Sequence, residues 1–319
     1  GAGASALGQV FPPARLDPAP GLSLTAGVHA QHVALTGQTS VEPRLGLRWE
    51  AGARDALSLG YGLHSQVEDL RVYLVRRPDG AQPNRALRLT RAHHVVLGYD
   101  RRLTASTRAR LEAYVQHLFD VPVAPDSSFS LLNFRQDWTF DAPLVNAGAG
   151  RNYGVELTLE RPLRGGFYVL VTGALFRSRY RGGDGVWRPT RFDQGFAANV
   201  LAGREVRVGA RNLLGVNARL VAVGGERRSP VDAAASRARE EVVYDEARAF
   251  AGRAPAVWLL DLTVTYRINR RRSAETWALQ VKNALAAQDV SLDYNYARGA
   301  VEEVREGFPL PLLSWKVEF

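Results

Sequence analysis

A chain of 319 residues, 46% hydrophobic and 23% charged, contains no run of about twenty apolar residues free of charge, which excludes a helical membrane protein. Cysteine is absent, excluding disulfides, thiolate metal sites and cysteine nucleophiles. The formal charge of +9 comes almost wholly from arginines scattered along the chain, with Lys282 and Lys316 the only lysines, a distribution that argues against nucleic acid as a partner.

With no methionine, and no charged and apolar leader at its start, the chain reads as a mature or truncated product. Residues 1–20 contain Pro12-Pro13 and the turn-like Asp17-Pro18-Ala19-Pro20-Gly21. They read as the remnant of a preceding strand and its turn, since proline is poorly tolerated inside a paired strand. From there the apolar period is two, the mark of strands with one apolar and one polar face. Leu45, Leu47 and Trp49 alternate with Arg44, Gly46 and Arg48; Leu57, Leu59, Tyr61 and Leu63 follow the same rule. So do Ala109–Val115, Tyr153–Leu159, Trp258–Ile268, Trp277–Val281 and Leu313–Phe319. Twelve strands are expected, at 21–35, 42–51, 55–65, 91–101, 106–119, 149–162, 166–180, 194–204, 211–224, 256–269, 274–285 and 309–319. Segment 167–180 is apolar on both faces, so its orientation is not fixed by period.

The connections distinguish a membrane barrel from a soluble sandwich. Short ones at 102–105, 163–165, 205–210 and 270–273 alternate with long ones at 66–90, 120–148, 181–193, 225–255 and 286–308. Outer-membrane barrels place short turns on the periplasmic side and long loops outside. Aromatic residues near strand ends (Trp49, Tyr61, Tyr99, Trp258, Tyr266, Trp277, Trp315) suit two interfacial girdles. The expected fold is therefore all-β, an antiparallel transmembrane barrel segment of about twelve strands at 21–319.

The ending Leu-Ser-Trp-Lys-Val-Glu-Phe, with Trp315, Val317 and Phe319 on one face, is similar to the signal read by the barrel-assembly machinery, for which an unpaired strand offers backbone bonds and alternate side chains. Longer stretches resemble one family. These are Arg-Asn-Tyr-Gly-Val-Glu-Leu-Thr-Leu-Glu-Arg at 151–161, Gly-Ala-Leu-Phe-Arg-Ser-Arg-Tyr at 173–180 and Asp-Gly-Val-Trp-Arg-Pro-Thr-Arg-Phe at 184–192. Gly-Gly-Glu-Arg-Arg-Ser-Pro-Val-Asp at 224–232 and Trp-Ala-Leu-Gln-Val-Lys-Asn at 277–283 complete the set. They resemble late barrel strands of TonB-dependent receptors, in the subgroup with an N-terminal carboxypeptidase-regulatory-like domain. The resemblance implies a 22-stranded barrel, of which this chain is the C-terminal portion, with the N-terminal barrel half and the plug lying on other sequence. It also implies an outer-membrane location, the TonB complex as a partner through the plug, and energised uptake of a scarce or bulky ligand. No cofactor is implied, and lipopolysaccharide is expected to meet the arginines.

No catalytic constellation stands out, and a non-enzyme is expected. His93 and His94 are adjacent, but neighbours in a strand point to opposite faces, so one ion cannot easily take both. By parity His29, His64 and His94 share the lumenal face, with no carboxylate at ligand spacing. The alternatives are a self-closed twelve-stranded porin or a barrel hydrolase, the latter needing a partner for His117 such as Ser127, Ser128 or Ser130. Ligand contact is expected from external-loop aromatics and charges: Phe134, Trp138, Phe140, Trp187, Arg188, Arg191, Tyr244, Tyr294 and Tyr296.

Overall fold

The alternating segments pair in chain order. The computed structural model describes residues 6–134 and 142–319, so Trp138 and Phe140 lie outside the described residues. β1 (Leu7–Val10) and β2 (Pro13–Ala19) both lie antiparallel along β3 (Leu22–Val33). β4 (Gln38–Glu50) and β5 (Asp55–Gln66) follow, then the single-turn α1 (Leu70–Tyr73) in the first long connection. β6 (Thr90–Arg102), β7 (Arg108–Val123), β8 (Val145–Arg164) and β9 (Phe167–Arg181) continue the wall, and β10 (Trp187–Pro189) folds back on the end of β9. β11 (Phe196–Val208) and β12 (Asn212–Val223) precede a connection that contains β13 (Arg227–Arg228), α2 (Ala233–Arg239) and β14 (Gly252–Arg253). β15 (Val257–Asn269) and β16 (Ala274–Lys282) lead to a separate hairpin, β17 (Asp289–Asn295) with β18 (Ala300–Glu306), and the chain ends on β19 (Leu310–Glu318).

One antiparallel sheet runs β1-β3-β4-β5-β6-β7-β8-β9-β11-β12-β15-β16-β19, with β2 and β10 attached at its margin. All twelve expected strands are in it. Among the described residues, β19 has no pairing with β1 or β2, so the sheet is open at both edges and does not close on itself. Pro18 sits where the β2 register skips between Leu16 and Ala19, and β2 is paired on one side only, which is how a strand of this composition is tolerated.

The faces are inverted relative to a soluble protein. Cross-strand neighbours share a face, and the row Leu47, Leu59, Leu97, Ala113, Val155, Leu175 and Phe196 runs unbroken from β4 to β11. A second row, Val216, Val264, Leu279 and Leu313, continues it on the far side. These side chains are not buried: Leu97 is 55% exposed and Leu175 is 64% exposed. The opposite face carries Glu112 beside Glu156, Arg110 bonded to Glu112 at 2.7 Å, and Asp261 with Arg219 at 4.0 Å. An apolar outer band with a polar interior is the pattern of a lipid-facing wall. Neighbouring ladders fix the orientation of β9: Val169, Val171 and Leu175 face out, while Tyr168, Leu170 and Phe176 face in. Trp315 and Val317 continue the outer row on β19, Trp315 packing on Trp277 at 5.8 Å, and Phe319 follows the strand fully exposed.

A conventional core exists only in the external connections. Val72, Tyr73, Leu87 and Leu144 form it, with Leu35, Val67, Phe129 and Leu131 packed around them. No helix among the described residues is long and apolar enough to cross a membrane, which says nothing of strands.

Candidate functional site

The long connections are not free loops. The Asn84 side chain, fully buried, accepts from the Leu144 amide at 2.8 Å and donates to the Ala142 carbonyl at 2.9 Å, fastening 67–89 to 124–144. The Ser127 hydroxyl donates to the Glu246 carboxylate, as does the Ser128 amide at 2.9 Å, which fastens 124–144 to 224–256. Those two donors hold the Glu246 carboxyl below the usual carboxylate range, so the latch is ionised near neutral pH.

A second fastening centres on Asp193, which is 2% exposed. Its Oδ2 accepts from Arg227 at 3.0 and 3.2 Å and from Arg253 at 3.2 Å, while Oδ1 accepts from the Ser178 amide at 3.0 Å. Three connections are thereby tied to the end of β9. The Gly224-Gly225 pair allows the closest part of this packing. A Cβ on Gly224 would stand 1.8 Å from the Gln194 carbonyl oxygen, and one on Gly225 would stand 1.6 Å from that of Ala254.

These fastenings leave two clefts, of about 820 and 420 Å³, that meet at Arg191, Ser229 and Tyr244. The larger is lined by Arg191, Arg227 and Arg228 against Glu226 and Asp289, a basic balance, with Trp258 and Val257 at its foot. The smaller adds Phe129, Phe134, Phe250 and Ser127–Ser130. Arg228 also donates to the Val290 carbonyl, holding the β17–β18 hairpin against the cleft. The arrangement can seat a bulky ligand between a cationic wall and an aromatic one.

Of the residues expected at a ligand mouth, Phe134, Arg191 and Tyr244 come together here, although 57 and 53 residues separate them in turn. The others do not join them. Trp187 is on the outer face of β10, its ring beneath the Arg151 guanidinium at 4.5 Å. Arg188 is paired with Asp184 at 2.7 Å. Tyr294 and Tyr296 stack on each other at 5.3 Å on the separate hairpin, and neither lines the clefts. Arg227, Arg228 and Asp193 were not singled out from the sequence. Arg227 and Arg228 follow Gly224-Gly225, and a glycine pair that brings backbones together was the available signal.

The histidines divide by face. His64 and His94 meet on the lumenal side with ring centroids 6.2 Å apart. His29 stands 2.8 Å from Glu42, its cross-strand partner, so a carboxylate does accompany it, contrary to what spacing along the chain suggests. Glu42 is already enclosed by Ser40, Ser65 and Gln31, and is 1% exposed. His117 leaves the outer face of β7, while Ser127 is taken by Glu246, and no hydrogen bond joins His117 to Ser127, Ser128 or Ser130 among the described residues. The geometry a barrel hydrolase needs is not assembled from them.

Comparison with known proteins agrees with the wall. A family model described as TonB dependent receptor-like, beta-barrel matches residues 3–284. A search of curated sequences finds no match. Among solved structures, the ferric preacinetobactin receptor from Acinetobacter baumannii superposes with a TM-score of 0.69 at 14% identity, over 99% of this chain and 43% of that one. The ferric-catecholate import receptor from E. coli K12 gives 0.68 at 12% identity, over 98% and 44%. The ferric yersiniabactin uptake receptor from Yersinia pestis gives 0.66 at 13%, over 99% and 46%. The chain spans less than half the length of each of these receptors.

Proposed function

Because the chain belongs to the TonB-dependent receptor β-barrel family, we propose that it forms the outer-membrane wall of a receptor for energised uptake of a bulky anionic ligand. The observation that carries this is the arginine-lined cleft at the junction of the connections following β7, β9 and β12, fastened through two buried or ionised carboxylates. The wall binds and orients; it does no chemistry on the ligand. The names of the solved relatives state ferric chelates, and an iron(III) chelate is the class we assign here.

The same reading supplies the partners. A plug and an N-terminal barrel half complete the pore on sequence beyond this chain, and the TonB complex acts through the plug. A carboxypeptidase-regulatory-like domain precedes that plug, which upstream coding sequence tests. The test of uptake is growth of iron-limited cells carrying the full receptor on a panel of iron(III) chelates, with and without TonB. At least one chelate is expected to support TonB-dependent growth. Arg191→Ala with Arg228→Ala should raise its half-saturating concentration roughly 10-fold, equivalent to about 1.4 kcal/mol of binding. Receptor-independent growth on every chelate would remove the iron assignment, and an unchanged concentration would remove the cleft.

We also assign Trp315, Val317 and Phe319 to assembly. Their side chains leave the outer face of an edge strand, with Phe319 in contact with nothing beyond its own turn of chain. Deleting Phe319 should lower the surface amount of heat-modifiable barrel several-fold while leaving uptake per folded receptor unchanged. Normal surface levels with lost uptake would place these residues in transport instead.

A further inference from the structure

Along one arc of the outer face, the row above the apolar band is basic. His93, His117, Arg151 and Arg179 are successive cross-strand partners on β6, β7, β8 and β9, so their side chains leave the same face at one ladder level. At about 4.8 Å per strand the row spans about 14 Å. Arg177 stands one step below Arg179, opposite Tyr153. The arc is local: on β11, β12 and β15 the outermost residues of the same face are Phe196, Ala222 and Trp258.

The row is backed by rings and left without counter-charge. Phe119 stacks on His93 at 5.2 Å and on His117 at 6.5 Å, Tyr61 covers the other flank of His93 at 6.1 Å, and Trp187 lies under Arg151. The nearby carboxylates are engaged elsewhere: Asp120 by Arg88 and Arg91, Asp184 by Arg188, and Asp193 by Arg227 and Arg253. Among the described residues His93, His117, Arg151 and Arg179 form no ion pair with a carboxylate, while Arg151 and Arg179 are exposed. Directly below lie Val95, Val115, Val155 and Leu175, also exposed.

A charge on a lipid-facing surface is costly unless the membrane supplies its partner. We propose that this arc binds the phosphate groups of a phosphorylated lipid of the outer leaflet, with the acyl chains lying on the apolar band beneath. The inference rests on the reading of the chain as an outer-membrane wall, and it gives lipopolysaccharide, the expected lipid partner, a defined seat. Dissolved phosphate would have no use for the apolar apron. Arg151 and Arg179 supply planar, permanently charged donors, and the stacked rings hold His93 and His117 facing outward.

The experiment uses the full receptor in neutral detergent micelles, with heat-modifiable mobility as the readout of the barrel's melting midpoint. Three additives are compared: lipid A with both phosphates, the same lipid stripped of phosphate, and sodium phosphate. Phosphorylated lipid A is expected to raise the midpoint by several degrees, and the other two to leave it in place. Arg151→Gln with Arg179→Gln should abolish most of that shift and reduce co-purifying phosphorylated lipid about tenfold. An equal shift from the stripped lipid, or full lipid retention by the double variant, would overturn the proposal. If the double variant does not assemble, the three-way comparison on the unaltered receptor still decides. A receptor that stays in solution without detergent would instead sink the wall reading itself.

Discussion

Leu262→Arg is expected to destabilise the assembled wall by roughly 2–4 kcal/mol, the cost of a guanidinium facing lipid near the midplane. That corresponds to a factor of about 30 to 1,000 in the folding equilibrium. Leu262 lies well inside β15, partnered by Ala218 on β12 and Val281 on β16, all on the outer face. Thr263→Arg is the control. Its partners are Asn217 and Gln280, and its side chain enters the polar interior, where a long cation reaches water. Urea unfolding of the receptor in lipid vesicles should separate the two variants clearly. Equal midpoints would mean that the faces are misassigned, because a one-residue slip exchanges every side chain between them.

Asp193→Ala should have the second largest effect, and a local one. It strips the shared carboxylate from the partly buried guanidiniums of Arg227 and Arg253 and leaves the Ser178 amide without its acceptor. Removing one partner from a buried charge cluster costs about 3 kcal/mol or more, because the remaining charges keep their desolvation penalty. The loss falls on the docking of 182–195 against 224–256 and not on the wall ladder. Hydrogen exchange should therefore show 10- to 100-fold faster exchange for amides within 224–256, with the wall amides of β11 and β12 unchanged. Faster exchange throughout the sheet would show that Asp193 supports the wall as well.

The wall was legible in the sequence because lipid on one side and water on the other force a strict alternation. The reading failed where that alternation breaks. β7 continues past Phe119 to Val123 and β8 begins at Val145, not at 149, because register shifts between Leu118, Val121 and Val123 interrupt the period. Asp120 sits there at φ 56°, and a Cβ on its neighbour across the ladder, Gly148, would meet the Val121 carbonyl at 2.8 Å. The site was less legible. Phe134, Arg191 and Tyr244 were named as candidates, but nothing local says that they converge. Their meeting depends on contacts such as Ser127 with Glu246, 119 residues apart, which no short-range pattern encodes. Trp187 shows the converse: an external aromatic of the expected type, set by β10 onto the outer face.

The exposed outer rows have a consequence for how such a chain changes over evolutionary time. Lipid tails fill the space beside Leu97 or Leu175 whatever apolar residue stands there, so shortening one leaves no fixed void of the kind a packed interior would hold. What keeps the strands together is the ladder of amides and carbonyls, which makes no demand on side-chain identity. Selection on half of the wall positions therefore asks for a class of residue and not for a particular one, and drift within that class is nearly free. A sheet built this way keeps its course while its letters are replaced, which is how a TM-score of 0.69 coexists with 14% identity.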